Sequence, residues 1–328
     1  MLLANALHES PLVWVVFSVI IVTMMAFDLG VLHRKAHIVS MREAWTMMAV
    51  WITLGLGFGA WVWYQFTQQF DAQVGRQRGL EYITAYLIEL ALSVDNIFVF
   101  IVLFRYFSVP AELKHRVLFW GIVGAILMRG VLIFAGTALI ERFHWMIYVF
   151  GAILLITGIK LMFSGDENVH PERNPLLRLA RRLMPITPNY EGQHFIFRRE
   201  GRLWATPLLL VLLVVESTDL LFALDSVPAV IGINPRDPSK LIIITSNVFA
   251  ILGLRSMYFV LAGILDKFRF LKYGLAIVLA FVGMKMLLSH WGHLPIAVSL
   301  SVVAGIIGLS VLASMLIPPK SAEPSDGR

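Results

Sequence analysis

Nine separate stretches of this chain are apolar for long enough to span a lipid bilayer as helices, which takes about 20 residues each. They run Leu12 to Leu32, Ala44 to Tyr64, Leu80 to Phe104, Val117 to Ile140, Trp145 to Phe163, Leu203 to Val230, Leu241 to Leu265, Phe270 to Leu288 and Leu294 to Ile317. Hydrophobic residues make up 58% of the 328 residues and charged ones only 15%. Soluble domains carry about 25% charged residues, so lipid must solvate the excess. The expected fold is an all-α integral membrane protein of about nine transmembrane helices. Met1 to Pro11 contains no Lys or Arg, unlike the start of a cleaved signal peptide, so the first run is expected to be a retained helix.

The basic residues orient the chain. With the N-terminus outside, eighteen Lys and Arg fall in cytoplasmic segments, including seven Arg between the fifth and sixth runs. Only Arg76, Arg78, Arg142, Arg236 and Lys240 fall outside. This asymmetry satisfies the positive-inside rule and places the C-terminus in the cytoplasm. It also accounts for the net charge of +6, so no nucleic-acid partner is implied. With no cysteine in the chain, disulfides and thiolate metal ligands are excluded.

An internal repeat organises the middle. Phe143 to Tyr148 through Gly158-Ile-Lys160 aligns without a gap onto Phe268 to Tyr273 through Gly283-Met-Lys285, and the same offset brings Arg129 close to Arg255. A slightly larger offset puts Glu89, Asp95 and Asn96 on Asp219, Asp225 and Ser226. Each copy holds three runs, an odd number, so helices 3 to 5 and 6 to 8 are expected to form an inverted-topology repeat. In transporters built this way the site lies near the midplane, where the copies meet. The expected divisions are 1–78 for the first two helices, 79–163 for repeat one, 164–202 for a basic cytoplasmic loop, 203–290 for repeat two, 291–317 for the ninth helix and 318–328 for a polar tail.

The candidate site is carboxylate-rich. Glu89, Asp95, Glu216, Asp219 and Asp225 interrupt apolar runs. An ionised carboxylate in hydrocarbon loses its solvation, so such a residue faces the protein interior, a partner charge or a bound cation. Glu216 and Asp219 are three apart and share a helix face, whereas six residues rotate Glu89 from Asp95, and Asp219 from Asp225, by about 240°. Either the helix unwinds between them, or one acid of each pair holds an ion while the other meets Arg129, Arg255, Lys160 or Lys285. The six acids that lie more than two residues inside the runs, Asp28 included, exceed those four bases by two, the charge of a divalent cation.

Asn96 and Ser226 add neutral ligand oxygens, and Ser246 and Asn247 lie beside the acids as further polar groups. Arg129 and Arg255 read first as internal ion-pair partners. Pro228 either interrupts the sixth helix, freeing the Leu224 carbonyl, or merely stops it. His290 and His293 have a spacing suited to a metal but lack a third ligand. Gly55-Leu-Gly57-Phe-Gly59 is a helix-packing signal. Residues Ser164 to Arg202 form short helices on an anionic leaflet, a gate or a partner surface, and the sequence leaves these open.

At Glu89-x5-Asp95-Asn96 and Glu216-x2-Asp219-x5-Asp225-Ser226-x-Pro228, the chain resembles the TerC/Alx family of the LysE transporter superfamily. Ser246-Asn247 through Arg255 and the two Gly-x-Lys motifs extend the likeness over almost the whole chain, most closely to the Alx branch. The resemblance implies an inner-membrane exporter of manganese(II), linked in parts of the family to tellurium resistance. Oxygen donors without thiolate or imidazole agree with a hard divalent ion, Mn, Mg or Ca. The metal ligands expected are Glu89, Asp95, Asn96, Glu216, Asp219, Asp225 and Ser226, with Arg129, Arg255, Asn247 and Asp28 as coupling or ion-pair partners. No P-loop and no HExxH motif is present, so a secondary antiporter is expected rather than an ATP-driven pump or an enzyme. No prosthetic group is expected, and the partners are the metal ion and the lipid bilayer. An exporter of an amino acid or other organic cation is the alternative, because the same carboxylates would take an ammonium group.

Overall fold

The structure is a computed structural model, and it describes residues 11–27, 39–163, 178, 182, 184–199, 201–235, 237–262, 270–289 and 294–316. Asp28, His290 and His293 and the polar tail lie outside the described residues, as does the side chain of Asp95.

Each of the nine apolar runs contains a described helix. These are α1 (Pro11–Phe27), α2 (Met41–Gln69), α3 (Ala72–Tyr106), α4 (Ala111–Arg142), α5 (Met146–Phe163), α6 (Pro207–Ile231), α7 (Lys240–Leu261), α8 (Leu271–Leu287) and α9 (Ile296–Leu316). Seven of them, all but α1 and α8, are long and apolar enough by length and composition to cross a membrane. The chain is thus a mainly helical, multi-pass membrane protein. Apolar side chains left outside the bundle, such as Val22, Leu127, Val131, Leu309 and Met315, are well exposed; in a bilayer these faces meet lipid.

Helix ends fall where capping chemistry puts them. The Asp71 side chain accepts from the Val74 amide at 2.8 Å, so α3 begins at Ala72, eight residues before its apolar run. Ser40 and Ser239 cap α2 and α7 in the same way. Each cap supplies an acceptor to one of the first-turn amides that has no partner within the helix. Hydropathy starts the sixth run at Leu203, and here the structure differs. Arg202–Ala205 is a strand, β2, paired antiparallel with β1 (Ile196–Arg199), and α6 starts only at Pro207 behind the N-cap Thr206. Proline at the first helical position is favourable, and the hydrogen bonds of Leu203 to Ala205 go to a ladder instead.

That hairpin gives the basic loop a described structure at its C-terminal end. Pro185 and Thr187 exchange backbone hydrogen bonds with Ala205 at 2.9 Å each. The Tyr190 hydroxyl donates to the Phe107 carbonyl at 2.7 Å, and burial pushes its pKa up to about 12. Arg116 donates to Gln193 at 2.6 Å and lies over the Phe195 ring. These contacts seat the segment leading into the hairpin on the turn between α3 and α4 and on the N-terminal part of α4.

Inside the bundle α7 is buried almost throughout, with α2, α3 and α4 packed around it. The helices expected to correspond, α3 with α6, α4 with α7 and α5 with α8, each pack on one another, and α3 on α7 is matched by α6 on α4. The closest approach joins α5 and α8. A Cβ at Gly158 would lie 2.7 Å from the Ala276 carbonyl oxygen, and one at Gly283 would lie 2.7 Å from the Gly151 carbonyl oxygen. Small residues let backbones pack this tightly where no water drives helices together. The glycines of α2 divide: Gly55 and Gly59 receive the rings of Tyr86 and Tyr82, while nothing lies within 4 Å of a Cβ at Gly57.

Candidate functional site

Arg129 is the largest fully buried side chain of the bundle, 1% exposed in the middle of α4. A guanidinium there requires partners. It forms ion pairs with Glu89 of α3 and Asp219 of α6. Its Nη2 and Nε donate to the two oxygens of Asp219 at 3.0 and 3.3 Å, and Nη1 donates to the Ser226 hydroxyl at 3.2 Å. Glu89, Asp219 and Ser226 are all buried. One cation therefore bridges two carboxylates that are 130 positions apart.

Two amides complete the arrangement. Asn96 Nδ2 donates to Asp219 Oδ1 at 3.3 Å, and Asn247 Nδ2, from α7, donates to Glu89 Oε2 at 2.9 Å. Both side chains are 1% exposed, and the Oδ1 of each has no hydrogen-bond partner among the described residues. Buried acceptors are rarely left so, because each forfeits its hydration without compensation.

Helical periodicity explains who meets whom. Asn96 is seven residues from Glu89 and Ser226 seven from Asp219, two turns that return to the same face. Glu216, one turn before Asp219, also faces α4: a Cβ at Gly124 would collide with its carboxylate. Asp225 faces elsewhere, accepting from Thr157 of α5 at 3.1 Å. Helix α6 runs unbroken through Pro228 to Ile231, so it does not unwind to turn Asp219 and Asp225 toward one point. In the structure Glu89 and Asp219 each meet a basic residue, and both meet the same one, Arg129.

Among the other candidates, Arg255 and Ser246 are buried on α7, with the Ser246 hydroxyl donating to the Ile242 carbonyl. Lys285 donates to the Ile233 carbonyl at 2.8 Å, whereas Lys160 is exposed near the end of α5. Among the described residues no group of three or more His, Asp or Glu is placed to hold a metal ion. The cluster around Arg129 has two carboxylates and offers amide and hydroxyl oxygens besides.

A second buried polar cluster escapes the sequence pattern. Glu81 sits one residue inside the third apolar run, at its edge, where an acid reads as interfacial rather than interior, and the positive-inside rule puts Arg78 in an external segment. Both are buried. Arg78 pairs with Glu81 at 2.7 Å and also with Asp237, beyond the end of α6. Glu81 accepts further from Asn234 at 2.7 Å and Gln77 at 3.1 Å. These bonds tie the start of α3 to the segment between α6 and α7. Beside them lies a cavity of about 820 Å³ whose walls include Gln77, Asn234, Phe281, Lys285 and Ile296. The one signal in the sequence is the spacing: Arg78 and Glu81 are three apart on one helix, a pairing distance.

Comparison with known proteins agrees with this architecture. Residues 74–322 match the model of the integral membrane protein TerC family. An uncharacterized membrane protein of Myxococcus xanthus is 52% identical over 317 residues, covering 97% of this chain and 96% of its own. A protein of Escherichia coli K12, provisionally named the membrane-bound redox modulator Alx, is 45% identical over 304 residues, with 92% and 94% covered. A membrane protein of Rickettsia bellii is 37% identical over 303 residues, with 92% and 97% covered. No solved structure matches the chain. The matched span takes in α3 to α9 and every described residue of both polar clusters, and the chain belongs to the TerC family of integral membrane proteins.

Proposed function

We propose that this protein is a secondary transporter that exports a divalent metal cation, manganese(II) first among them, across the inner membrane. The observation that carries the reading is the buried oxygen cluster joining α3, α6 and α7: Glu89 and Asp219 with Asn96, Asn247 and Ser226. Hard oxygen donors without sulfur or imidazole suit Mn, Mg or Ca, and manganese among these rests on the family likeness. Ion pathways through membranes use buried carboxylates of this kind. Proton exchange is the coupling they offer, since protonation removes the charge that holds the metal. The relatives' name speaks of redox modulation; with no cysteine, this chain cannot act through thiol and disulfide exchange.

An inverted repeat of α3 to α5 and α6 to α8 fits the reciprocal contacts. With the offset of 125 residues, Gly158 against Ala276 and Gly283 against Gly151 are the same contact seen from either copy. The N-terminus then lies outside and the C-terminus in the cytoplasm. Because the chain has no native cysteine, single cysteines at Gln73 and Arg178 report sidedness directly. They are expected to label from opposite faces of the membrane; labelling from one face defeats the inverted arrangement.

The decisive measurement is manganese flux in everted vesicles, with and without a pH gradient and with amino acids as competitors. Glu89→Gln and Asp219→Asn are expected to reduce flux at least tenfold at equal membrane insertion, because each keeps shape and removes ligand charge. Asp28→Asn should do less, being near the inner end of the first run. Full flux in both interior variants removes these acids from the pathway. Flux blocked by an amino acid, and absent with metal alone, favours the organic-cation alternative.

A further inference from the structure

We propose that Arg129 is a tethered substitute for the transported cation: it occupies the cation position between Glu89 and Asp219, and a divalent ion binds there only when the guanidinium withdraws. This rests on the metal-transport reading and specifies how that site is controlled. Arg129 bridges one carboxylate from each half of the bundle and also engages Ser226. Its charge lies where both carboxylates point, which is where an ion neutralised by the pair would sit. Guanidinium and metal exclude each other there, by volume and by like charge at contact distance.

The second observation concerns the two buried amides. Asn96 and Asn247, both 1% exposed, spend their Nδ2 groups on Asp219 and Glu89 and leave each Oδ1 without a hydrogen-bond partner among the described residues. Arg129 forms ion pairs with both carboxylates and donates to Asp219 and Ser226, but it reaches neither amide oxygen. A cation with six or more oxygen ligands would use both. The five side chains thus form a ligand set more complete than Arg129 needs. Closing the site around an arginine rather than leaving it open also explains how two buried carboxylates from different helices stay paired and ordered between transport events, since unpaired buried charges are not tolerated. A transporter so built does not hold its metal tightly at rest, because metal must displace an internal competitor first.

The test is equilibrium binding of manganese ion alone to purified protein in detergent, read from the signal of free Mn²⁺, beside flux in vesicles. Arg129→Gln is expected to bind Mn²⁺ at least tenfold more tightly than the unmodified protein while exporting it at least tenfold more slowly. Adding Glu89→Gln to that variant should erase the gain in affinity. In Arg129→Ala, millimolar guanidinium ion should compete with Mn²⁺, whereas in the unmodified protein it should not. A folded Arg129→Gln protein whose affinity is unchanged or weaker overturns the proposal. Should that variant not fold, Arg129→Lys decides: a single ammonium bridges the pair less well, so affinity must rise several-fold, and no rise overturns it. The parent reading fails separately. If the unmodified protein moves no Mn²⁺ while Arg129→Gln captures it, the metal-export reading falls and the tethered-cation assignment stands; flux without any gain in affinity gives the reverse.

Discussion

Arg129→Gln is expected to destabilise the metal-free protein by about 3 to 5 kcal/mol, the usual cost of leaving buried partner charges unpaired. Glu89 and Asp219 would then face each other with no cation between them, in a position that excludes water. Asp219→Asn alone should cost less, because Arg129 keeps Glu89. In the double variant one cation and one anion are gone together, so its loss should fall short of the sum of the two. That non-additivity is the signature of a shared network. Thermal unfolding of the four proteins in detergent with a chelator measures it. Additive losses would mean that Arg129 and Asp219 do not act on one another. Adding Mn²⁺ should restore stability to Arg129→Gln by mass action.

The second large effect is expected at the contact of α5 and α8. Alanine is favoured over glycine in a helix by about 1 kcal/mol, so Gly→Ala would stabilise an exposed site. At Gly283 the added carbon would lie 2.7 Å from both the Gly151 oxygen and the Leu155 amide nitrogen; at Gly158 it would lie 2.7 and 2.8 Å from backbone atoms of Ala276 and Ala280. Backbone cannot rotate aside, and overpacking costs about 1 to 3 kcal/mol even when side chains yield. Gly158→Ala and Gly283→Ala should therefore lower stability by similar amounts, as equivalent positions would. The corresponding leucines should prevent α5 and α8 from packing and remove folded protein from the membrane. Gly57→Ala, with nothing near it, is the control and should be neutral or slightly stabilising. Equal melting temperatures for Gly57→Ala and Gly283→Ala would refute the close contact.

Much of this site is legible in the amino-acid sequence. The acids are conspicuous because hydrocarbon penalises them, and their intervals of three and six residues already set which share a face. That Asp219 and Asp225 meet different neighbours, Arg129 and Thr157, follows from a rotation of about 240° over six helical residues. Glu81 shows the opposite case. At the edge of a run, an acid reads as interfacial whether it reaches water or not, and only the approach of Asn234 to Glu81 and of Asp237 to its partner Arg78 completes the buried cluster. Leu203 reads as part of a helical run because it is apolar and adjacent to one; its backbone partners in β1 and the neighbouring pairing at Pro185 carry no signature in local composition.

The sequence by itself determined the membrane class, the apolar helical runs, the spacings that set which carboxylates share a face, and the family. Each of these depends on the hydrocarbon environment, or on residues within a turn or two of one another. Only the tertiary structure decided that Glu89 and Asp219 share a single arginine, that two asparagines stand beside them with an oxygen uncommitted, and that Arg78 and Glu81 join the start of α3 to the segment between α6 and α7. The helices are apolar on nearly every side, so hydrophobic pattern does not state which face meets which neighbour. That choice was made by the few places where backbones can approach, at Gly151, Gly158 and Gly283, and by the buried charges that had to find one another.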